Sequence, residues 1–326
     1  MSLSVRVGGS WRNASDVHTR VGGAWKKATK VWVRVNGSWK EIWSGSGFKV
    51  LANMSTARCD HHVQAVGNYI YTVGGFTGSV APGYETKRTE RYDPATNTWA
   101  YMADTNARKV NGTSFVINNE IYIQGGNGDY STGLVYTPST NTYRYFNQTR
   151  SGESQFSGGI GSFGYVAGGY DGGFLSLTYM YNPGTDSRTK MADIPIPLGY
   201  GGSAVAYDNL YTVGGQTTNY TVVTAAYQFD PRLNVWTAKA SAPVSNSTSP
   251  SVWAYKNIIY AYFVWDVLWL FDPWNNVWVQ SGDKASNGTA IYRAGAAVVG
   301  GKAYIPGGLN ANDGVISGQT LEYTMA

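Results

Sequence analysis

Cys59 stands two residues before His61 and three before His62, and a thiol beside an imidazole is the pairing that a nucleophile and its general base require. Consecutive side chains of an extended segment point to opposite faces, so these three seldom converge. A lone cysteine is more often a small buried apolar group. Copper chemistry would need separated histidines, whereas the third one, His18, lies in a different part of the chain from this adjacent pair. Glycoside hydrolysis would need two carboxylates held roughly 5 to 10 Å apart, and a sialidase-like site would add clustered arginines. Arg58, Arg108, Glu153 and Arg293 are the candidates, but no spacing selects a pair among them. No catalytic residue, metal ligand or cofactor is therefore assigned, and the chain is read as a binder and not an enzyme.

Residues suited to recognition are more plentiful. Tyr84, Asp129, Tyr130, Tyr170, Asp171, Asn219, Tyr220, Asn310 and Asp313 fall in short polar segments, and Trp265 tips a very tight one. Rigid aromatic side chains among small polar ones describe a binding surface. A tyrosine ring packs on the apolar face of a sugar or on protein, while Asp and Asn take hydroxyls or amides. The same types are ordinary turn formers, and no ligand spacing supports calcium at Asp129, Asp171 or Asp313.

These segments follow a landmark that recurs roughly every 42 to 51 residues from about residue 52 onward. It is an aromatic-apolar strand closing on a glycine pair: Gly74-Gly75, Gly125-Gly126, Gly168-Gly169, Gly214-Gly215 and Gly307-Gly308. Paired glycines let a strand lie close to its neighbour where a Cβ would clash. A second landmark follows each time, an aromatic, then Asp-Pro or a relative, then a strand with a large side chain. Tyr92-Asp93-Pro94 with Trp99, Phe229-Asp230-Pro231 with Trp236 and Phe271-Asp272-Pro273 with Trp278 are the clear copies. Tyr136-Thr137-Pro138 with Tyr143 and Tyr181-Asn182-Pro183 with Arg188 are weaker ones. Asp-Pro starts a tight turn, and the indole after it packs between neighbouring units.

The paired landmarks resemble the kelch repeat over some 275 residues. The resemblance implies a propeller of four-stranded blades, in which the starts of first strands, and with them Arg58, Arg108, Glu153 and Arg293, approach a central channel. The loops after the glycine pairs then gather on one face, where recognition is usual. Counting third-strand aromatics at Tyr92, Tyr136, Tyr181, Phe229, Phe271 and Tyr323 gives six blades. The sixth ends without a fourth strand, and Phe48 to Met54 echoes the fourth strand of blade one, so the ring is expected to close by pairing the domain's two ends. Blade five lacks the glycine pair and turns almost at once at Trp265-Asp266, so its central loop must be short.

Residues 5 to 43 carry a different repeat with a period of 14: Val5 to Trp11, Thr19 to Trp25 and Val33 to Trp39. Gly-Gly and Asn-Gly favour two-residue hairpin turns, which sets Arg6 opposite Trp11, Arg20 opposite Trp25 and Arg34 opposite Trp39, each pair able to stack. Three small hairpins bury too little to stand alone, so these residues are read as an attachment or oligomerisation arm. The Val-Gly-Gly-Xaa-Trp-Lys units are similar to short repeats of bacteriophage tail-fibre and tail-associated proteins. That resemblance implies a virion protein, made in the host cytoplasm, anchored to other virion proteins by the arm.

Composition is consistent with this plan. There are 41 Gly, 25 Tyr and 12 Trp with only 14% charged residues, which reads as an all-β chain with almost no helix. The net charge of +5 is unevenly placed, with nine Lys/Arg against Asp16 and Glu41 in the first 50 residues and a slight acidic excess after them; the basic residues alternate with strand residues, so a solvated ribbon is favoured over a nucleic-acid surface. Met1 to Trp11 has no apolar core of a signal peptide, and no run reaches the roughly 18 apolar residues of a membrane span. The expected organisation is a hairpin arm over 1–46 and a six-bladed kelch-type β-propeller over 47–326. Its expected task is to bind a host cell-surface glycan or outer-surface protein, the glycan slightly favoured. A bacterial or host kelch protein-interaction module and a carbohydrate-active enzyme are the alternatives.

Overall fold

A computed structural model describes residues 48–325 apart from 129–131, 148–151, 245–248, 265–266, 282 and 284–290, with backbone alone at 128 and 267. Before them it describes the backbone of six short strands between residues 3 and 44. Those six form three two-stranded hairpins whose register sets Arg6 across from Trp11, Arg20 from Trp25 and Arg34 from Trp39.

From Phe48 on, the strands form six four-stranded antiparallel sheets, the blades of a kelch-type propeller. Blade one comprises His62–Val66, Tyr69–Val73, Thr89–Asp93 and Thr98–Tyr101, and blades two to five repeat that order. Burial grades outward across each sheet. Second strands such as Glu120–Gln124 and Phe163–Ala167 lie between neighbouring blades and are buried almost throughout, which is why they read as continuous apolar runs. Fourth strands such as Ser187–Met191 face water and are polar. Apolar clusters bridge the blades. Phe48 and Tyr323 of blade six pack with Trp253, Tyr260 and Leu268 of blade five, and fully burying one such side chain stabilises by about 1.5–3 kcal/mol.

Blade six takes its fourth strand from the other end of the domain: Phe48–Leu51 pairs with Thr320–Thr324, with Phe48 opposite Tyr323 and Leu51 opposite Thr320. The ring therefore closes as the sequence predicts. In blade five, Phe263 pairs with Val267, so the hairpin between its second and third strands is as short as expected. Blade four corrects the reading of Gln216 to Tyr220 as a loop. Asn209–Thr217 and Thr221–Asp230 continue their ladder past a bulge at Gly214 and close in a single 3-10 turn, Thr218–Tyr220. A free loop is replaced because the β-branched Thr217, Thr221, Val222 and Val223 favour extended backbone.

The glycine pairs also need a correction. A Cβ at Gly74 would lie 1.9 Å from the carbonyl oxygen of Lys109, and one at Gly125 would lie 2.2 Å from that of Gly152. Both glycines have positive φ. For these first glycines the crowding comes from the segment that leads into the next blade, whereas the second glycines meet the entry to their own first strand, Gly75 at Cys59 and His61 and Gly126 at Val110, so the pair is where blades interlock.

A second interlock recurs in the turn between the third and fourth strands. The third-strand aromatic faces the large fourth-strand residue in all five complete blades, Tyr92 with Trp99 through Phe271 with Trp278. The turn side chain then reaches the preceding blade. Asn97 Oδ1 accepts from the Ala52 N–H, Asn141 Oδ1 from Ala103, Asp186 Oδ1 from Asn147, Asn234 Oδ1 from Ala192 and Asn276 Oδ1 from Ala240, all within 2.7–3.0 Å. The indoles do the same: Trp99, Trp236 and Trp278 donate to the carbonyls of Ala52, Ala192 and Ala240. Blade six has no such turn, and there Tyr323 donates to Asp283 of blade five at 2.8 Å.

Arg58, a candidate for the channel mouth by sequence, is part of this framework. It is fully buried and ion-paired with the equally buried Glu90, and it donates to the carbonyls of Thr56, Gly74 and Arg88. Glu90 in turn accepts from the backbone N–H groups of Ser55 and Thr56. Removing one partner strands the other charge in the protein interior. Glu90→Ala is expected to cost about 3–5 kcal/mol of stability, measured as the shift in urea unfolding, and a loss under about 1 kcal/mol would mean that water reaches the site.

Candidate interaction face

The connections entering each first strand converge on a ring around the central channel. Its six members are Asp60, Asn111, Ser154, Tyr200, Ser249 and Arg293, one per blade, and each adopts a left-handed backbone with φ between 48° and 58°. Their backbones form a closed circle of hydrogen bonds. Asn111 donates to Asp60, Ser154 to Asn111, Tyr200 to Ser154, Ser249 to Tyr200, Arg293 to Ser249 and Asp60 to Arg293, at 2.7–3.4 Å. The ring and the first strands beside it line a cavity of about 210 Å³, with small and polar residues including His62, Gln64, Ser114, Ser157 and Ser203.

Side chains of the ring are tied to one another. Arg293 and Asp60 form a two-pronged ion pair, with Arg293 Nε to Asp60 Oδ1 at 2.8 Å. Burial raises the Asp60 carboxyl, and Arg293 works against that rise. Ser154 Oγ donates to Asn111 Oδ1 at 2.6 Å, while Asn111 Nδ2 and the Tyr200 hydroxyl both donate to Glu153 Oε2, at 2.9 and 3.1 Å. Glu153 and Arg293 thus reach the mouth as the resemblance implies. Arg108 instead lies exposed, 3.9 Å from Glu85.

Aromatic rings gather on the rim of blades three and four. Glu153 and Tyr170 form an antiparallel bridge, which sets Tyr170 beside the ring. Tyr170 then meets Phe174 at 5.3 Å, Tyr220 at 5.9 Å and Tyr200 at 6.2 Å between centroids. Phe174 touches Tyr200 and Tyr220 in edge-on geometry. The Tyr220 and Tyr170 hydroxyls share a hydrogen bond of 2.9 Å, and this bond raises the Tyr170 phenol. Tyr220 is 58% exposed at the tip of the extended blade-four hairpin, where both it and Asn219 have positive φ.

The structure therefore brings together Tyr170, Asn219 and Tyr220 of the sequence-predicted residues and joins Asp171 to them by chain adjacency. Tyr84 is exposed on the blade-one loop, outside this cluster. Asn310 and Asp313 chiefly shape their own turn: Asn310 Nδ2 donates to Asp313 Oδ2, and their other oxygens accept the N–H groups of Asn312 and Val315. Asp129, Tyr130 and Trp265, and the side chains of Arg6, Trp11, Arg20, Trp25, Arg34 and Trp39, lie outside the described residues. Sequence reasoning missed Tyr200, whose only signal is its place in a series of first-strand starts spaced 43 to 51 residues apart.

Cys59 is buried against Phe76, Val110 and Leu309, and burial, with Asp60 beside it, pushes its thiol up to about 12. That is the inert state expected of a core cysteine. Among the described residues, no three of His, Cys, Asp and Glu come together as a metal site.

Residues 57–106 match the family model for the Kelch motif. Kelch-like protein 36 of Bos taurus is 27% identical over 261 residues, covering 74% of this chain and 42% of its own length. Kelch-like protein terF of Aspergillus terreus is 26% identical over 310 residues, 86% of this chain and 66% of that protein. The chain spans about two fifths of the length of the Kelch-like protein 36 relatives it matches. Among solved structures, YjhT superposes with a TM-score of 0.72 at 13% identity, covering 84% of this chain and 97% of its own, a likeness of fold.

His62 gives the channel wall a pH signature. Its Nε2 is buried without a hydrogen-bond partner, and burial, with Lys109 nearby, lowers it from 6.5 to about 3. His61 is lowered in the same direction, chiefly by burial. Unfolding lets both take up protons below pH 6.5, so the unfolded chain binds more protons there and stability falls as pH drops. The urea midpoint is expected to be flat with respect to these groups above neutrality. Below about pH 6.5 stability should decline by up to about 1.4 kcal/mol per pH unit for each histidine, and His62→Gln should flatten the decline.

Proposed function

We propose that this chain is a propeller interaction module that binds a protein partner on the channel-mouth face and does no chemistry on it. The observation that carries this reading is the cluster of Tyr170, Phe174, Tyr200 and Tyr220, rigid rings held at the rim by mutual packing and by Glu153. Aromatic anchors of this kind dominate binding energy at interfaces because they add contact area at small entropic loss. Kelch propellers generally mediate protein–protein binding, and the match over residues 57–106 supports that use here. The acid and base of the mouth, Asp60 and Arg293, are engaged with each other, which favours a binding role.

A second reading is a virion protein that binds a cell-surface glycan. It is favoured by the three hairpins in one shared register at the N-terminal side, which suit an attachment arm. The relatives found are Kelch-like proteins of animals and a fungus and lend it nothing. Binding of the full chain to whole cells, lost when surface polysaccharide is stripped, would favour this second reading.

The first reading is tested with a photo-crosslinking phenylalanine at position 220 and, as a control on the opposite face, at position 233. A discrete protein adduct is expected at 220 and not at 233, competed by unmodified chain. Tyr170→Ala is expected to weaken that competition by about tenfold. Equal labelling at both positions would reject the channel-mouth face as the interface.

A further inference from the structure

The hairpin turns on the other side of the propeller are mostly polar, and blades four and five break that rule. Trp274, at the turn between the third and fourth strands of blade five, is 81% exposed, the most exposed large apolar side chain among the described residues. At the equivalent positions of blades one to four stand Ala95, Ser139, Gly184 and Arg232. The turn is set before any ligand arrives: Asp272 Oδ1 accepts the N–H groups of Trp274 at 2.9 Å and Asn275 at 3.2 Å.

Tyr207 faces it from the turn between the first two strands of blade four, with ring centroids 6.4 Å apart. Tyr207 and Asp208 both have positive φ, an unusual place for a bulky residue. Asn257 of blade five holds it there, its Oδ1 accepting the Tyr207 N–H at 2.8 Å. The corresponding turns of blades two, five and six share this left-handed pair, at Asn118–Asn119, Lys256–Asn257 and Gly300–Gly301, so what sets blade four apart is the aromatic ring that the turn carries.

Beside the two rings opens a cleft of about 510 Å³, within the range of small-molecule sites, about 300–1,000 Å³. In its wall Asn209 is 4% exposed. Its Nδ2 donates to the Tyr207 carbonyl at 2.7 Å, but its Oδ1 has no hydrogen-bond partner. That buried amide fixes the Tyr207 turn from beneath, and the polar groups open to the cleft are those of Asp208, Gln228 and Lys239. The charged groups of the wall balance, Asp208 and Asp230 against Arg232 and Lys239, so the cleft does not call for a charged ligand. Two rings set among donors and acceptors match a pyranose, which has an apolar C–H face and a rim of hydroxyls.

We propose that the cleft between blades four and five is a binding site for a neutral saccharide, stacked on Trp274 and Tyr207 with hydroxyls bonded to Asp208, Gln228 and Lys239. The site is independent of the channel-mouth face, so a protein and a sugar can be held together.

Saturation-transfer NMR on the full chain tests this with a panel of methyl pyranosides of glucose, galactose, mannose and N-acetylglucosamine and their β-linked disaccharides. At least one is expected to bind, and Trp274→Ala is expected to weaken it by about tenfold or more without changing the melting temperature. Leu233→Ala, also exposed but outside the cleft, should leave it unchanged. A panel without any Trp274-dependent signal, or Trp274-dependent capture of peptides from a random library and not of saccharides, would overturn the proposal.

Discussion

Six residues in a left-handed backbone, each donating its N–H to the carbonyl of the one before, close the propeller at its centre. Such a conformation costs on the order of 1–3 kcal/mol at each residue without glycine's freedom, and it persists only where the surroundings over-determine it. Here the surroundings do. Opening one link would take a backbone donor and an acceptor from their partners at the channel mouth. The side chains follow from the same circle: Asp60, Asn111 and Ser154 are polar types that tolerate the conformation, whereas Arg293 is held by Asp60, and Tyr200 by Glu153. The chemistry of the mouth is therefore inseparable from its closure.

Around that circle the blades are fastened at their outer edges by repeated side-chain contacts to the preceding blade's exit. Amide or carboxylate oxygens from turn residues capture one backbone N–H each, and indoles capture the carbonyl of the same residue. These bonds connect backbone groups that four-stranded sheets leave open at their ends, so each fastening satisfies a group that water would otherwise have to reach. Tyr323 and Asp283 perform the corresponding task where the chain's two ends meet and no turn is available.

Much of this was legible in the sequence because it repeats. The glycine pairs, the Asp-Pro turns and the third-strand aromatics are local requirements of single strands and turns, so they recur at similar spacing and count the blades. The echo of a fourth strand at Phe48 revealed the closure for the same reason. The central circle was not legible, since Asp60, Asn111, Ser154, Tyr200, Ser249 and Arg293 share a backbone conformation and not a residue type. Arg58 was misplaced because burial beside Glu90 depends on a partner more than thirty residues away. The aromatic cluster was half visible: Tyr170 and Tyr220 stood out as loop tyrosines, but their meeting depends on the hairpin of blade four extending toward blade three, which tertiary pairing decides.

The closing strand carries one more consequence. Phe48–Leu51 is both the last strand of the ring and the first residues after the hairpin repeats, so any tension on the N-terminal segment acts first on the strand that shuts the propeller. Its grip is the ladder to Thr320–Thr324 together with the buried rings of Phe48 and Tyr323. The joint behaves as a mechanical fuse: under load the molecule would yield by releasing four residues from blade six while the five covalently continuous blades remain folded.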